Sequence, residues 1–186
     1  MKLQKNAFTA LFPCPVVLVS CVDYAGKSNI ITLAWAGTVC SEPPMVGVSI
    51  RPTRYSYQVI KDTKEFVVNI PPTKFIQETD YCGVASGKDV DKFSETKFTP
   101  EKAQKVNVPM IQECPVNLEC ILKDVIPLGA HDLFLGEVVQ VHFDEKVLDE
   151  TGKLDFSKAD PFVFNVGEYW SLNKKIGSYG FSQHRK

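Results

Sequence analysis

The chain has 186 residues, 44% of them hydrophobic, which is enough for one domain with a packed core and too few for two ordinary ones. Its 21 basic and 22 acidic side chains leave a formal charge of −1 with no long single-sign run, which removes the electrostatic case for nucleic acid or an anionic membrane surface as partner. No apolar run approaches the roughly 20 residues that span a bilayer, and six dispersed cysteines, with no C-x-x-C pair and no zinc-type histidine spacing, point to buried thiols in a reducing cytoplasm and to no metal.

From the N-terminus, Lys2 and Lys5 precede an apolar stretch that Pro13 and Pro15 interrupt, a poor fit to a signal peptide. Leu3 to Leu11 is expected as a short helix, ended by the Phe12-Pro13-Cys14-Pro15 break. Pro15 to Val22 and Ser28 to Trp35 read as two strands of a hairpin, joined by turn chemistry at Asp23 to Lys27. Met45 to Ile50 is a third strand, Thr53 to Asp62 a short helix with Thr53 or Ser56 as N-cap, Glu65 to Ile70 a fourth strand, and Thr73 to Tyr81 a second helix. Gly83 to Val108 has glycines, charges and few periodic apolar positions, and is expected as a long functional loop or a lid with a helical turn or two. Cys114 to Ile126 and His131 to Phe143 form the best hairpin, with Leu118, Cys120 and Leu122 facing the core and Glu119, Ile121 and Lys123 the half-wet side. Cys114 and Cys120 would then share a side. Phe162 to Val166 is a last strand, and Tyr169 to Lys186 a basic tail. Six or more strands with two or three short helices predict an antiparallel barrel, since closure removes exposed edges.

The stretch from Asn29 to Ser56 carries the chemistry. A β-rich segment ends at Trp35 and gives way to Ala36 and Gly37, which let backbone approach something flat. A second apolar run then delivers Arg51, Arg54, Tyr55 and Ser56, where orphan helix amides, a hydroxyl and guanidinium donors would converge on a dianion. Each feature has a plain alternative: ordinary strand and core residues for the first, a solvated turn for the second. None of G-x-G-x-x-G, G-x-x-x-x-G-K-[ST], G-x-S-x-G or H-E-x-x-H occurs, so no catalytic residue is assigned, and a pyridine nucleotide would bind transiently rather than in a Rossmann fold.

N-x-x-T-x-A-W from Asn29 to Trp35, S-x-P-P from Ser41, and V-S-I-R-P-x-R-Y-S from Val48 to Ser56 together resemble the flavin reductase-like family of FMN-binding split β-barrels, nearest its flavoredoxin branch. The likeness continues in order through Glu65 to Ile70, Asp91-Lys-Phe93, His131 to Glu137 and Tyr169-Trp170. It implies a mainly β fold, an antiparallel Greek-key split β-barrel with a few short peripheral helices, formed by residues 1–186 as a single domain. It also implies an FMN oxidoreductase, with NADH, NADPH or a protein as electron donor, and a homodimer with the pocket near the subunit interface. A non-enzymatic electron carrier and a cofactor-free binding barrel are the alternatives.

By the same resemblance Asn29, Thr32, Ala34 and Trp35 hold the flavin ring, with Ser49 beside them, while Arg51, Arg54 and Ser56 take the phosphate. Lys92 reaches the cofactor from the long loop, and His131 hydrogen-bonds the phosphate or ring edge or gates proton delivery. Phe164 and Tyr169 pack on the flavin or cover it. Taken singly, a loop lysine, a strand-end histidine and β-segment aromatics are more often solvated or core residues.

Overall fold

The computed structural model describes residues 1–184. The chain runs β1 (Cys14–Pro15), β2 (Val17–Val22), β3 (Ser28–Leu33), β4 (Ala36–Ser41), β5 (Pro44–Ile50), α1 (Tyr55–Thr63) and β6 (Glu65–Ile70). It continues through α2 (Ile76–Val84), α3 (Lys92–Thr96), β7 (Pro100–Glu101), β8 (Met110–Ile111), β9 (Val116–Pro127) and β10 (Asp132–Phe143). The last elements are α4 (Phe156–Ala159), β11 (Phe162–Asn165) and β12 (Glu168–Ser171). Arg185 and Lys186 of the expected basic tail lie outside the described residues.

Seven strands form one antiparallel sheet in the order β3-β2-β6-β9-β10-β5-β4. β3 and β4 are its two edges, yet only Ala34 and Trp35 separate them in the chain. The three steps from Leu33 to Ala36 span at most about 10 Å, so the edges are held close together and the sheet rolls into a barrel with its seam at those residues. Ser49 donates its amide to the Trp35 carbonyl at 2.8 Å, carrying hydrogen bonding onto the seam. β1, β11 and β12 make a small second sheet against this region. The mainly β, antiparallel split-barrel expectation is met.

The barrel interior holds Val19, Cys21, Ile31, Val48, Phe66 and Phe134 among others. Alternate residues of the same strands, Leu18 and Ile30, point outward and are buried with Cys82, Phe93, Phe98 and Ile111 under α2 and α3. β2 is covered on both faces, which is why it reads as a continuous apolar run rather than an alternating one. At Gly136, where the β9–β10 register shifts, an added Cβ would stand 2.3 Å from Phe66 Cζ. Gly136→Ala is therefore expected to lose about 1–3 kcal/mol of stability through overpacking, read from the denaturation midpoint; an unchanged midpoint would mean that Phe66 has room to move.

Several expectations need correction, among them the tail from Tyr169, whose first residues belong to β12. Leu3 to Leu11 forms no helix: Leu3, Phe8 and Leu11 are exposed, and a short helix without tertiary packing is marginal in water. The second strand stops at Leu33, and β4 was not foreseen because its small residues carry little periodicity. The segment from 83 to 108 has the expected helical turn, at α3, but it is no lid. Phe93, Phe98, Ala103, Val106 and Val108 are buried, so it lies packed on the barrel. Glu119 is completely buried rather than wet, because that packed segment covers its face. Cys114 precedes β9 and packs outside the barrel with Cys82, whereas Cys120 faces the interior, so they do not share a side.

Candidate functional site

The seam leaves a cleft of about 210 Å³ lined by Thr32, Ala34, Trp35, Ser49, His131 and Phe164, with Arg51 and Arg54 at its polar end. Because the chain crosses from one sheet edge to the other here, backbone and the Trp35 ring face the cleft together. Trp35 is fixed in an aromatic corner, its centroid 6.0 Å from Phe12 and 6.2 Å from Phe164. Such tilted and edge-on pairs are favourable for aromatic quadrupoles and hold the wall in place.

Arg51 Nε donates to His131 Nε2 at 3.3 Å. Burial first, then the Arg51 and Arg54 cations, hold the His131 imidazole below the ordinary histidine value. Its Nε2 accepts the Arg51 bond in the neutral ring, which places the remaining ring proton on Nδ1.

Ile31 and Arg54 also border a second pocket, of about 180 Å³, lined by Asn29, Ser56, Gly87 and Lys92. α1 begins here. Its N-cap is Arg54, in extended conformation and without a side-chain cap, and its first turn carries no acid, so its leading amides are left for an anion. Neither Thr53 nor Ser56 is the cap: the turn closed by the Arg54 amide on the Arg51 carbonyl (3.0 Å) sets the helix start and puts Ser56 inside the first turn. Ser56 is buried, and its Oγ accepts from Asn29 Nδ2 at 2.8 Å, leaving its own proton to donate.

Lys92 arrives by a local device. Asp91 caps α3, accepting from the amides of Phe93 (3.1 Å) and Ser94 (3.3 Å); Phe93 turns into the outer core, and Lys92 turns the other way into the pocket. Its Nζ donates to the carbonyls of Cys82 (2.6 Å) and Ile30 (2.7 Å), and the side chain is only 3% exposed. Of its three donors, one remains. Burial pulls the ammonium below the ordinary lysine value, with Arg54 adding to the effect against an opposing influence of Cys82.

Asn29 Oδ1 is buried without a partner among the described residues. Gly87, which the sequence reading missed, lies so close that a Cβ there would stand 2.1 Å from this atom. Its position in the glycine-containing stretch after α2 was the one available signal. A side chain at 87 would fill the cradle that glycine leaves open.

Eight expected residues line the cleft: Thr32, Ala34, Trp35, Ser49, Arg51, Arg54, His131 and Phe164. Asn29, Ser56 and Lys92 line the pocket, with Arg54 shared between the two. Tyr169 stands behind the cleft. It packs on Phe164 at 6.0 Å and donates to Asp80 Oδ1 at 2.9 Å, and burial followed by that carboxylate pushes its hydroxyl up to about 12. The buried thiols of Cys21 and Cys120 are likewise pushed up to about 12 by burial, so they are protonated, apolar fillers.

A flat cleft with an aromatic corner, continuous with a pocket of uncapped amides, a hydroxyl and two cations, suits a planar ring joined to a phosphate. Comparison with known proteins agrees. The flavoredoxin of Desulfovibrio vulgaris (Miyazaki F) superposes with a TM-score of 0.92 at 33% identity, over 98% of this chain and 100% of that one. Flavoredoxin from Methanosarcina acetivorans gives 0.88 at 31% identity, over 99% and 97%. An uncharacterized protein of Archaeoglobus fulgidus is 32% identical over 168 residues, 90% of this chain and 93% of its own length. The family model for the flavin reductase like domain matches residues 9–172, a span that holds the seam cleft and the adjoining pocket, and the chain belongs to that flavin-binding family.

Proposed function

We propose that this chain, a single domain, binds FMN and works as an oxidoreductase of flavin reductase type, taking electrons from NADH, NADPH or a protein donor and passing them on. The carrying observation is the continuity of cleft and pocket through Ile31 and Arg54, which suits one ligand with a ring at one end and a phosphate at the other. When bound, the isoalloxazine supplies the hydride and electron chemistry. The chain's own residues bind and orient. Trp35 and Phe164 wall the ring, Ser56, Arg54, Lys92 and the amides of α1 hold the phosphate, and Arg51 with neutral His131 occupies the cleft mouth, where a proton on Nδ1 is available to a neighbouring acceptor.

Anaerobic addition of NADH or NADPH to the yellow holoprotein tests this reading; bleaching at rates compatible with turnover supports an enzyme. The likeness to two flavoredoxins favours a second reading, a carrier between proteins, and a flavin that only a protein donor bleaches would select it. A chain that takes up no flavin would be left as a binding barrel. Ser56→Ala and Trp35→Ala are each expected to weaken FMN retention by about 1–3 kcal/mol, through a lost buried hydrogen bond and lost packing respectively. If fluorescence titration gives both variants wild-type affinity, the site assignment is wrong.

We also infer a homodimer, supported by the exposed apolar side chains of Leu3, Phe8 and Leu11, which a second copy would cover. Sedimentation equilibrium giving twice the chain mass is the expected result. A cytoplasmic setting is supported by six free cysteines.

A further inference from the structure

The residues between α2 and α3 make a turn, and its Ala85, Ser86 and Gly87 form one wall of the proposed phosphate pocket. Most of the hydrogen bonds of residues 86–90 stay inside the turn. The amides of Asp89 (3.0 Å) and Val90 (3.1 Å) donate to the Ser86 carbonyl, and that of Lys88 donates to Ser86 Oγ (3.2 Å). Among the described residues a single hydrogen bond ties 86–90 to another part of the chain: Lys27 Nζ, from the turn between β2 and β3, donates to the Gly87 carbonyl at 2.7 Å.

We propose that Lys27 is a positioning residue for the cofactor, a latch that holds the 86–90 turn against the phosphate pocket and sets how fast FMN leaves. The inference rests on the flavin reading above and extends it to a residue that lines neither cleft nor pocket. Three observations carry it.

The first is that Lys27 is set in place before it meets Gly87. Asp23 Oδ1 accepts from the amides of Ala25 and Lys27, both at 2.9 Å, and the Asp23 amide donates to the Lys27 carbonyl at 3.1 Å, which fixes the turn under the side chain. The ammonium passes 5.3 Å from the Tyr55 ring centroid, and that ring is held in turn by its hydroxyl donating to Asp23 Oδ2 at 3.2 Å. A side chain guided in this way has less freedom to lose when it bonds.

The second is the fit at the receiving end. Gly87 is buried between Asn29 and Tyr55: an added Cβ would stand 2.1 Å from Asn29 Oδ1 and 2.8 Å from Tyr55 Cδ1. Both neighbours line the pocket, so lifting the turn uncovers the Asn29 side chain that bonds Ser56 Oγ at 2.8 Å.

The third is where the ammonium is directed. It bonds a backbone carbonyl and faces a ring, so its loss loosens a wall rather than removing a donor to the ligand. A wall held in place slows exit more than it speeds entry.

The test compares Lys27→Met, which keeps the stem over Tyr55 and removes the donor, with Lys88→Met, which removes a cation from the same turn and leaves the latch intact. Release of FMN from the loaded full chain is followed by recovery of flavin fluorescence on dilution, and capture by its quenching when FMN is mixed with the flavin-free chain. Deuterium exchange of the flavin-free chain is read at the amides of residues 88–90 and at β2 and β6. Lys27→Met is expected to release FMN about three- to tenfold faster, the range for one hydrogen bond, with capture within about twofold of wild type. Its exchange should quicken at 88–90 and stay unchanged at β2 and β6, and Lys88→Met should release FMN at the wild-type rate. Wild-type release by Lys27→Met overturns the inference. So does an equal slowing of capture in both variants, which would make Lys27 one more attracting charge, or faster exchange at β2 and β6 as well, which would make it a general support of the fold. Each of these leaves the flavin reading standing. A wild-type chain that takes up no FMN overturns the flavin reading, and this one with it.

Discussion

Glu119→Ala is expected to lower stability by about 3–5 kcal/mol, the range for removing one partner of a buried charged network. Glu119 is fully buried, and its carboxylate accepts from the amides of Gln104 (2.9 Å), Lys105 (2.6 Å) and Val106 (3.0 Å), with His142 Nε2 at 2.5 Å. Alanine would leave three backbone donors and an imidazole facing a void, and the segment around 104–106 would lose its attachment to β9. Chemical denaturation monitored by circular dichroism measures the loss; a shift below about 1 kcal/mol would mean that water replaces the carboxylate at little cost. The pH dependence has a defined sign. Burial pushes the Glu119 carboxyl up, but the Gln104 amide, His142 and the other two amides outweigh it and hold it below the ordinary value of 4.5. The unfolded chain therefore binds this proton more readily than the folded one. The stabilisation is present above that value and is lost as pH falls through the lower folded one. Glu119→Gln removes this contribution to the acid limb, so its stability should fall less steeply on acidification than that of wild type.

Lys92→Met should raise the Kd for FMN by roughly 30- to 1000-fold, about 2–4 kcal/mol, as for loss of a buried charged hydrogen-bonding partner. The proposed phosphate pocket would lose its buried cation, while Arg54 is exposed and screened by water. The same change strips a donor from the Ile30 and Cys82 carbonyls, so stability should also fall, by about 1–3 kcal/mol. Measuring both separates the roles. Reduced stability with unchanged FMN affinity would make Lys92 a strut between β3 and α2 and would remove it from the site.

Much of the site was legible because its residues are local to short motifs. Asn29 to Trp35 lie on one strand and its exit, Arg51 to Ser56 on one strand end and helix start, and Asp91-Lys-Phe93 is a cap, an inward cation and a core anchor in succession. What stayed hidden was non-local. β9 alternation places Glu119 opposite the core residues, which for a one-sided sheet means water; only the chain at 104–106 folding over that face makes it interior. Asn69 and Asn117 are similar. Their mutual bond at 2.8 Å and the Ile111 amide bond to Asn69 Oδ1 at 3.0 Å form a buried polar knot between β6, β9 and β8 that composition alone gives no reason to expect. His142 had no context in sequence because its partner Glu119 is 23 residues away, on the neighbouring strand. Gly87 depends on Asn29 and Tyr55 in the same way.

By itself the sequence determined that this is a β-rich chain, where most of its strands lie, and which side chains are clustered near one strand exit and one helix start, since periodicity, turn chemistry and caps act within a few residues. Tertiary structure alone decided that β3 and β4 are opposite edges brought together at Ala34 and Trp35, that a flat cleft opens at that seam, and that loop residues from 83 to 108 bury a carboxylate and deliver a lysine. Edge closure and loop packing join residues tens of positions apart, and whether such contacts repay the entropy of closing the chain between them is set by the whole packed arrangement rather than by any local run of residues.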